Sequence, residues 1–313
     1  MLYVLKKLGV FLLTLFVISI LVFIAFQIIP GDEATNILGA EATPERLEAL
    51  REQLGLNEPP VTRYFNWLAG FVTGDLGFSR SYNMPVSELL AGKLGITACL
   101  TALSFVMVIL ISFPVGLLLA RFAHSVFDRV LMLINQLVMS LPPFFIGIIF
   151  TYIFGLVFKL FTPGKFVPLN EDPLRFWGYL IFPALAIALP KSAMVVKLFR
   201  GSMVSQFGED YVRTAFSRGN SRRRVLMHHV VRNALIPVVT FLAFTLVDIV
   251  AGSIIIEQVF AIPGIGRLLL SSISGRDLAV VQTITMIIAA IVIAVNNLAD
   301  LSYKYIDPRV KFR

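Results

Sequence analysis

The 313-residue chain holds three histidines, one cysteine and 19 acidic residues from which a site could be assembled, and their placement narrows the chemistry at once. Cys99 is the single cysteine, so neither an intrachain disulfide nor a cysteine metal cluster is open to it. His228 and His229 are neighbours, and adjacent side chains on a helix point about 100° apart, so the two do not chelate one ion together. With His124 they fall in polar connecting segments, where a surface role is expected. No catalytic set and no metal site is expected. Asp248 stands alone as an acid inside a long apolar run. A charge surrounded by lipid is costly, so it should face a bundle interior or water. Three roles are open to it: meeting an ammonium group or cation of a permeating solute, pairing with a partner chain, or standing in a hydrated vestibule. Glu257, near the end of the same run, is the second candidate for a permeation path.

The elements that must position these residues are apolar helices. Hydrophobic residues make up 57% of the chain and charged ones 15%, with a mean hydropathy of +0.84. Soluble domains carry about 25% charged residues. The composition excludes a soluble enzyme, a disordered protein and a nucleic-acid-binding module, and the net charge of +8 reads as membrane-flanking loops instead. A bilayer-crossing helix needs about 20 apolar residues. Runs at 8–29, 94–120, 130–158, 234–256 and 278–299 satisfy this, and 176–198 makes a sixth, with Lys191 near one end snorkelling to the interface. The run at 8–29 is too long for a cleavable signal and reads as the first permanent span. Basic residues collect at Lys6 and Lys7, Arg121 and Arg129, between Lys191 and Arg232, and after Lys304. The positive-inside rule then puts both termini in the cytoplasm. The expected organisation is a first transmembrane helix over 1–30, an extracytoplasmic cap over 31–93, and a transmembrane domain over 94–313 with a cytoplasmic loop at 199–233.

Two segments are long enough to act in water. In the outer one, Thr43 reads as the N-cap of a helix that starts with Pro44 and ends at Gly55, with Leu47, Leu50 and Leu54 on one face. The aromatic residues Tyr64, Phe65, Trp67 and Phe71 suit either an interfacial cap or a docking surface for an extracytoplasmic partner. In the inner one, Met203, Phe207, Tyr211 and Ala215 recur every four residues as one helical face. Gly219 closes that helix and Ser221 caps the next, which begins with Arg222, Arg223 and Arg224. Three cations in a first turn oppose the helix dipole. Two explanations stay open: basic residues that hold topology and meet anionic lipid, or a helical hairpin offered to a cytoplasmic protein.

Asp210-Tyr-Val-Arg-Thr-Ala-Phe-Ser-Arg-Gly219, followed by Arg232-Asn-Ala-Leu-Ile-Pro237, resembles the cytoplasmic EAA loop of ABC-importer permeases, in the subgroup importing dipeptides, oligopeptides and nickel. The general pattern is Glu-Ala-Ala, three residues, Gly, nine residues and Ile-x-Leu-Pro. This chain keeps Ala215 and Gly219, has Arg213 and Thr214 at the first two positions, and has His229, Val231 and Arg232 at the last ones. Gly74-Asp-Leu-Gly77, Glu257-Gln-Val-Phe-Ala-Ile-Pro-Gly-Ile-Gly266, Arg276-Asp277 with Val281-Gln282, and Asp307-Pro-Arg309 resemble the same subgroup. The resemblance implies an all-α membrane protein of the type I importer permease fold in a bacterial or archaeal inner membrane. It also implies a second permease, two ATPase subunits holding ATP and magnesium, and an extracytoplasmic solute-binding protein. Glu209, Asp210, Tyr211, Arg213, Thr214, Ala215, Gly219 and Arg232 would then form the ATPase-coupling loop. The chain has no Gly-x4-Gly-Lys-Ser/Thr phosphate loop of its own. Peptides are the expected solute, with nickel, glutathione or another small solute as alternatives. From a different class, an ATP-independent secondary transporter remains open, although no clear inverted repeat supports it.

Overall fold

The computed structural model describes residues 2–28, 43–53 and 55–306. Leu54, residues 31–42 of the outer segment and the Asp307-Pro-Arg309 motif lie outside the described residues. In chain order the helices are α1 (Leu2–Ile28), α2 (Pro44–Gln53), α3 (Pro60–Thr73), α4 (Val86–Leu90), α5 (Lys93–Arg121), α6 (Val126–Ser140) and α7 (Pro143–Phe150). They continue with α8 (Pro173–Phe207), α9 (Asp210–Ser217), α10 (Arg222–Val225), α11 (Val231–Val259), α12 (Ile265–Ser274) and α13 (Leu278–Ile306). A π-helical stretch, Thr151–Val157, extends α7, and another, Leu226–Val230, joins α10 to α11. Two short strands, β1 (Phe78–Ser79) and β2 (Met84–Pro85), pair antiparallel before α4.

The chain divides into two compact units, Met1–Gly92 with Leu268–Ala294, and Lys93–Arg267 with Val295–Arg313. In the first, α1 leaves Leu12, Leu13, Leu21 and Ile28 exposed, as a lipid-facing helix must. The expected outer helix is present: Thr43 Oγ1 accepts from Arg46 N at 3.4 Å, and Gly55 closes it at φ +65°. Tyr64 of α3 sits edge-on to Phe23 of α1 at 5.4 Å and meets Ser19 Oγ at 2.8 Å. Asp277 receives Ser79 Oγ at 2.6 Å and Ser81 N at 3.1 Å, and Thr283 Oγ1 donates to Leu76 O at 3.2 Å. The segments around two motifs far apart in sequence, 76–81 and 277–283, are thereby joined.

In the second unit α8 is the axis on which α5, α6, α7 and α11 pack. Inside a bilayer, apolar contact gains little over contact with lipid, so close approach and interhelical hydrogen bonds hold the helices. Gly116 of α5 illustrates the approach: a Cβ there would lie 2.7 Å from Phe199 Cδ1 of α8. Asn135 Nδ2 donates to Ala193 O at 2.8 Å, and Ser202 Oγ to Ala234 O at 3.1 Å. Asp128, 2% exposed, is gripped by Arg200 of α8 through Nε at 2.7 Å and Nη2 at 2.5 Å.

Among the described residues, five helical stretches are long and apolar enough to cross a membrane. The sixth span is not the single run expected over 130–158. It breaks between α6 and α7 and bends by 96°. Pro142 and Pro143 supply no N–H for the ladder, and Pro142 forces Leu141 into an extended conformation at ψ 128°. Pro114, Pro183, Pro190 and Pro237 stay inside continuous helices, where neighbours in a bundle re-satisfy the freed carbonyls.

Candidate functional site

The helix expected to run through Met203, Phe207, Tyr211 and Ala215 is two helices. It breaks at Gly208 and Glu209, and α9 starts afresh at Asp210, whose charge suits a first turn. Tyr211 Oη donates to Gln206 Oε1 at 2.7 Å, tying α9 back to α8. Val212 and Ala215 are buried, whereas Asp210, Arg213, Thr214 and Phe216 face outward. The Arg213–Asp210 pair spans 3.6 Å with side chains 79% and 96% exposed, so it contributes little to stability. α9 ends as expected: Gly219 takes φ +77°, its N donates to Phe216 O at 2.9 Å, and Asn220 Nδ2 holds Ala215 O at 2.9 Å. Ser221 Oγ then accepts from Arg224 N at 3.4 Å, capping α10. Tyr211, Thr214, Ala215, Arg218, Asn220 and His229 surround a hollow of about 290 Å³. Arg232 lies beyond the π-helical stretch on α11, exposed and away from that hollow.

Asp248 is not alone. Its Oδ2 lies 2.8 Å from Lys191 Nζ, with the lysine side chain 19% and the aspartate 60% exposed. Lys191 had been expected near the end of its span, yet α8 continues for four further turns to Phe207. Lys191, Met194, Leu198, Gly201 and Ser205 recur along one face of α8, and Pro237, Phe241 and Asp248 along one face of α11. An open and mainly apolar groove of about 650 Å³ is walled by Met194, Leu198, Gly201 and Ser205 of α8, Pro237 and Phe241 of α11 and Met139 of α6; Lys191 and Asp248 lie further along the same two helix faces and are not among its walls.

Glu257 lies on α11 but not on that face. It is fully buried, and its carboxylate accepts from Thr97 Oγ1 at 2.5 Å, Gly266 N at 2.7 Å and Arg267 N at 3.1 Å. Thr97 Oγ1 in turn accepts from Ile265 N at 3.1 Å. The Phe260–Gly266 turn is held on its other side by Tyr179 Oη, which donates to Phe260 O at 2.5 Å. A Cβ on Gly264 would overlap the Glu257 carboxylate, so the turn and the acid are fitted to each other. Among the described residues no group of three His, Cys, Asp or Glu side chains could hold a metal ion.

Residues 112–312 match the family described as "Binding-protein-dependent transport system inner membrane component", and residues 1–101 match its N-terminal companion, "Binding-prot-dependent transport system membrane comp, N-term". The chain belongs to this family. A permease named for a peptide transport system in Brucella abortus (strain 2308) is 35% identical over 309 residues, spanning 99% of this chain and 98% of its own. A permease of Sinorhizobium fredii, named for a peptide ABC transporter, is 31% identical over 310 residues and 99% of each chain. The glutathione transport system permease protein GsiC of Escherichia coli (strain K12) is 32% identical over 311 residues, again 99% of each. A chain in an inward-facing structure of the MetNI methionine ABC transporter superposes with a TM-score of 0.57 at 18% identity, covering 70% of this chain and 96% of that one. That likeness is one of fold.

As an inner membrane permease of an ABC importer, the protein is multi-pass and all-α, as its resemblance to the family implied. The residues singled out from sequence fall into three places. Tyr211, Thr214 and Ala215 line the α9 hollow, Gly219 closes α9 beside it, and Asp210 and Arg213 are exposed; Asp248 pairs with Lys191 between α8 and α11; Glu257 is enclosed at the 260–266 turn. Sequence reasoning did not place four further residues: His229, Lys191, Asp128 and Arg200. His229, within the π-helical stretch, lines the hollow. Lys191 carries the clue of a charge within a run whose true end lay further on. Asp128 and Arg200 are 72 residues apart, with no local pattern to link them.

Proposed function

We propose that this permease forms, with a second permease subunit, the translocation path of an importer for peptides, and that α9 with the Gly219 turn is the lever through which two ATPase subunits move it. The observation that carries this is α9 itself. It is a short helix on two apolar anchors, closed by a left-handed glycine between two spans, with Asp210, Arg213 and Phe216 turned outward. Glu209 and Arg232 flank it and widen the surface offered to an ATPase. Closure of the ATPase pair around ATP and magnesium would pull the two copies of this lever together. That re-packs α8 and α11, the helices attached to its ends, and biases the equilibrium between inward and outward shapes. The chain itself does no hydrolysis in this reading.

The facing sides of α8 and α11, which carry both the groove and the Lys191–Asp248 pair, line the path. A charge pair so far from either helix end, with one member 60% exposed, cannot stand against hydrocarbon. It needs water or the second permease in front of it. Methionines on the walls adapt to side chains of differing shape, which suits a solute class as varied as peptides. Relatives named for peptide transport support that class. The relative named for glutathione, itself a small peptide, supports a second reading within the same chemistry. Glu257 serves the path indirectly by holding the 260–266 turn. Residues 31–93 form the extracytoplasmic side, where a solute-binding protein delivers cargo, and both termini are cytoplasmic.

The test is uptake of labelled di- and tripeptides into proteoliposomes holding the assembled complex, with ATP inside or outside. ATP-dependent uptake that needs the loaded binding protein is expected. Uptake by the permease without ATPase subunits would overturn the reading. A tag after Arg313 should be shielded from added protease in intact cells, and cleavage there would reverse the topology.

A further inference from the structure

Arg121 at the end of α5 and Arg222 and Arg223 at the start of α10 border one groove of about 810 Å³, whose remaining walls include Pro114, Leu117, Leu118 and Met227. The groove is independent of the α9 hollow and of the α8–α11 path. It has two chemically distinct ends. Pro114 lies seven residues before Arg121 on a continuous helix, which is about 10 Å along the axis. The apolar end therefore reaches well into the hydrocarbon, while the three guanidinium groups stand at the level where the span ends. None of the three has an ion pair with a described acidic residue, and Arg121 only leans on the Phe122 ring, 5.6 Å from its centroid. Leu118 and Met227 are 41% and 47% exposed, so the groove is open along its length. Ser221 already caps α10, so arginines crowding its first turn do nothing for the helix.

We propose that this groove binds one anionic phospholipid, with an acyl chain along Pro114, Leu117 and Leu118 and the phosphate between Arg121, Arg222 and Arg223. A soluble partner could satisfy the arginines but could not follow the groove past the headgroup layer. A lipid of the adjacent leaflet supplies both halves. Bound there, it bridges α5 to the helix that follows the Gly219 turn. The lipid composition of the membrane then bears on how stiffly that turn is anchored.

The test uses the full chain in phosphatidylcholine vesicles, with its two tryptophans removed (Trp67→Phe and Trp177→Phe) and one placed in the groove by Leu118→Trp. Brominated phosphatidylglycerol should quench that tryptophan more strongly than brominated phosphatidylcholine at the same mole fraction. Each Arg→Gln change at Arg121, Arg222 or Arg223 should weaken the preference by about fivefold. Millimolar inorganic phosphate should leave the quenching in place. Equal quenching by the two lipids, or a preference that survives the triple Arg→Gln variant, overturns the proposal. Displacement by free phosphate would make this an anion site without a lipid, and loss of quenching on adding ATPase subunits would make it a protein interface; either rejects the lipid. Should Leu118→Trp not fold, native mass spectrometry of the unsubstituted chain gives the same decision. Phosphatidylglycerol retained by the parent must be lost from Arg222→Gln/Arg223→Gln.

Discussion

Substituting Gly219 by asparagine, alanine and valine in turn separates backbone strain from bulk at the α9 turn. Gly219 sits at φ +77°, and a Cβ built there meets nothing within 4 Å, so the chain itself does not crowd the first atom of a side chain there. What remains is the conformation. A residue with a Cβ held in the left-handed region costs about 1–2 kcal/mol, less for asparagine and more for a β-branched residue. At about 1.4 kcal/mol per tenfold, alanine shifts the balance away from the set turn by roughly 5- to 30-fold. The assay is ATP hydrolysis by the reconstituted complex, with and without loaded binding protein, read as the stimulation ratio. Equal amounts of all three variants should reach the membrane, and stimulation should fall in the order asparagine, alanine, valine. Full stimulation in Gly219→Val would refute the lever. Asparagine as damaging as valine would refute the strain argument and point to lost space in the ATPase socket.

Glu257→Ala leaves Thr97, Gly266 and Arg267 without their acceptor. At about 1–3 kcal/mol for each of the two buried donors, Thr97 and Gly266, it should lower stability by at least about 2 kcal/mol, seen as a lower thermal midpoint of the purified protein, whereas Glu257→Gln keeps one acceptor oxygen and should cost less. Asp128→Ala strands Arg200 and should cost about 3–5 kcal/mol, and adding Arg200→Met should return most of it in the same measurement. Gly116→Leu pushes into Phe199 and should destabilise by at least about 1–3 kcal/mol, with Phe199→Ala partly compensating; an unchanged midpoint would deny the close α5–α8 contact. Asp248→Asn leaves Lys191 unneutralised between α8 and α11 and should slow peptide uptake several-fold without lowering ATP turnover equally; unchanged uptake would remove the pair from the path.

What was legible in the sequence was local. Thr43, Gly55, Gly219 and Ser221 announced themselves because capping and left-handed turns depend on neighbouring residues alone. Six apolar runs appeared because lipid selects for them wherever they pack. Length misled where composition could not mark a boundary. The run over 130–158 stays apolar across the Pro142–Pro143 break, and Met203 to Ala215 keeps a four-residue rhythm across Gly208 although the backbone does not. Polar pairs were hidden for another reason. Lys191 with Asp248, Asp128 with Arg200, and Thr97 with Glu257 are joined by helix packing, which no spacing along the chain encodes.

The last of those pairs has a consequence for how the protein is made. Thr97 and Glu257 are separated by 160 residues. At a synthesis rate of about 5–20 residues per second, Thr97 is translated roughly 8–30 s before its acceptor. During that wait its hydroxyl has no anion to bind, and the α12 amides have not yet been made. Joining them is a late step of biogenesis, and a nascent chain stalled before α11 carries an unfinished seam.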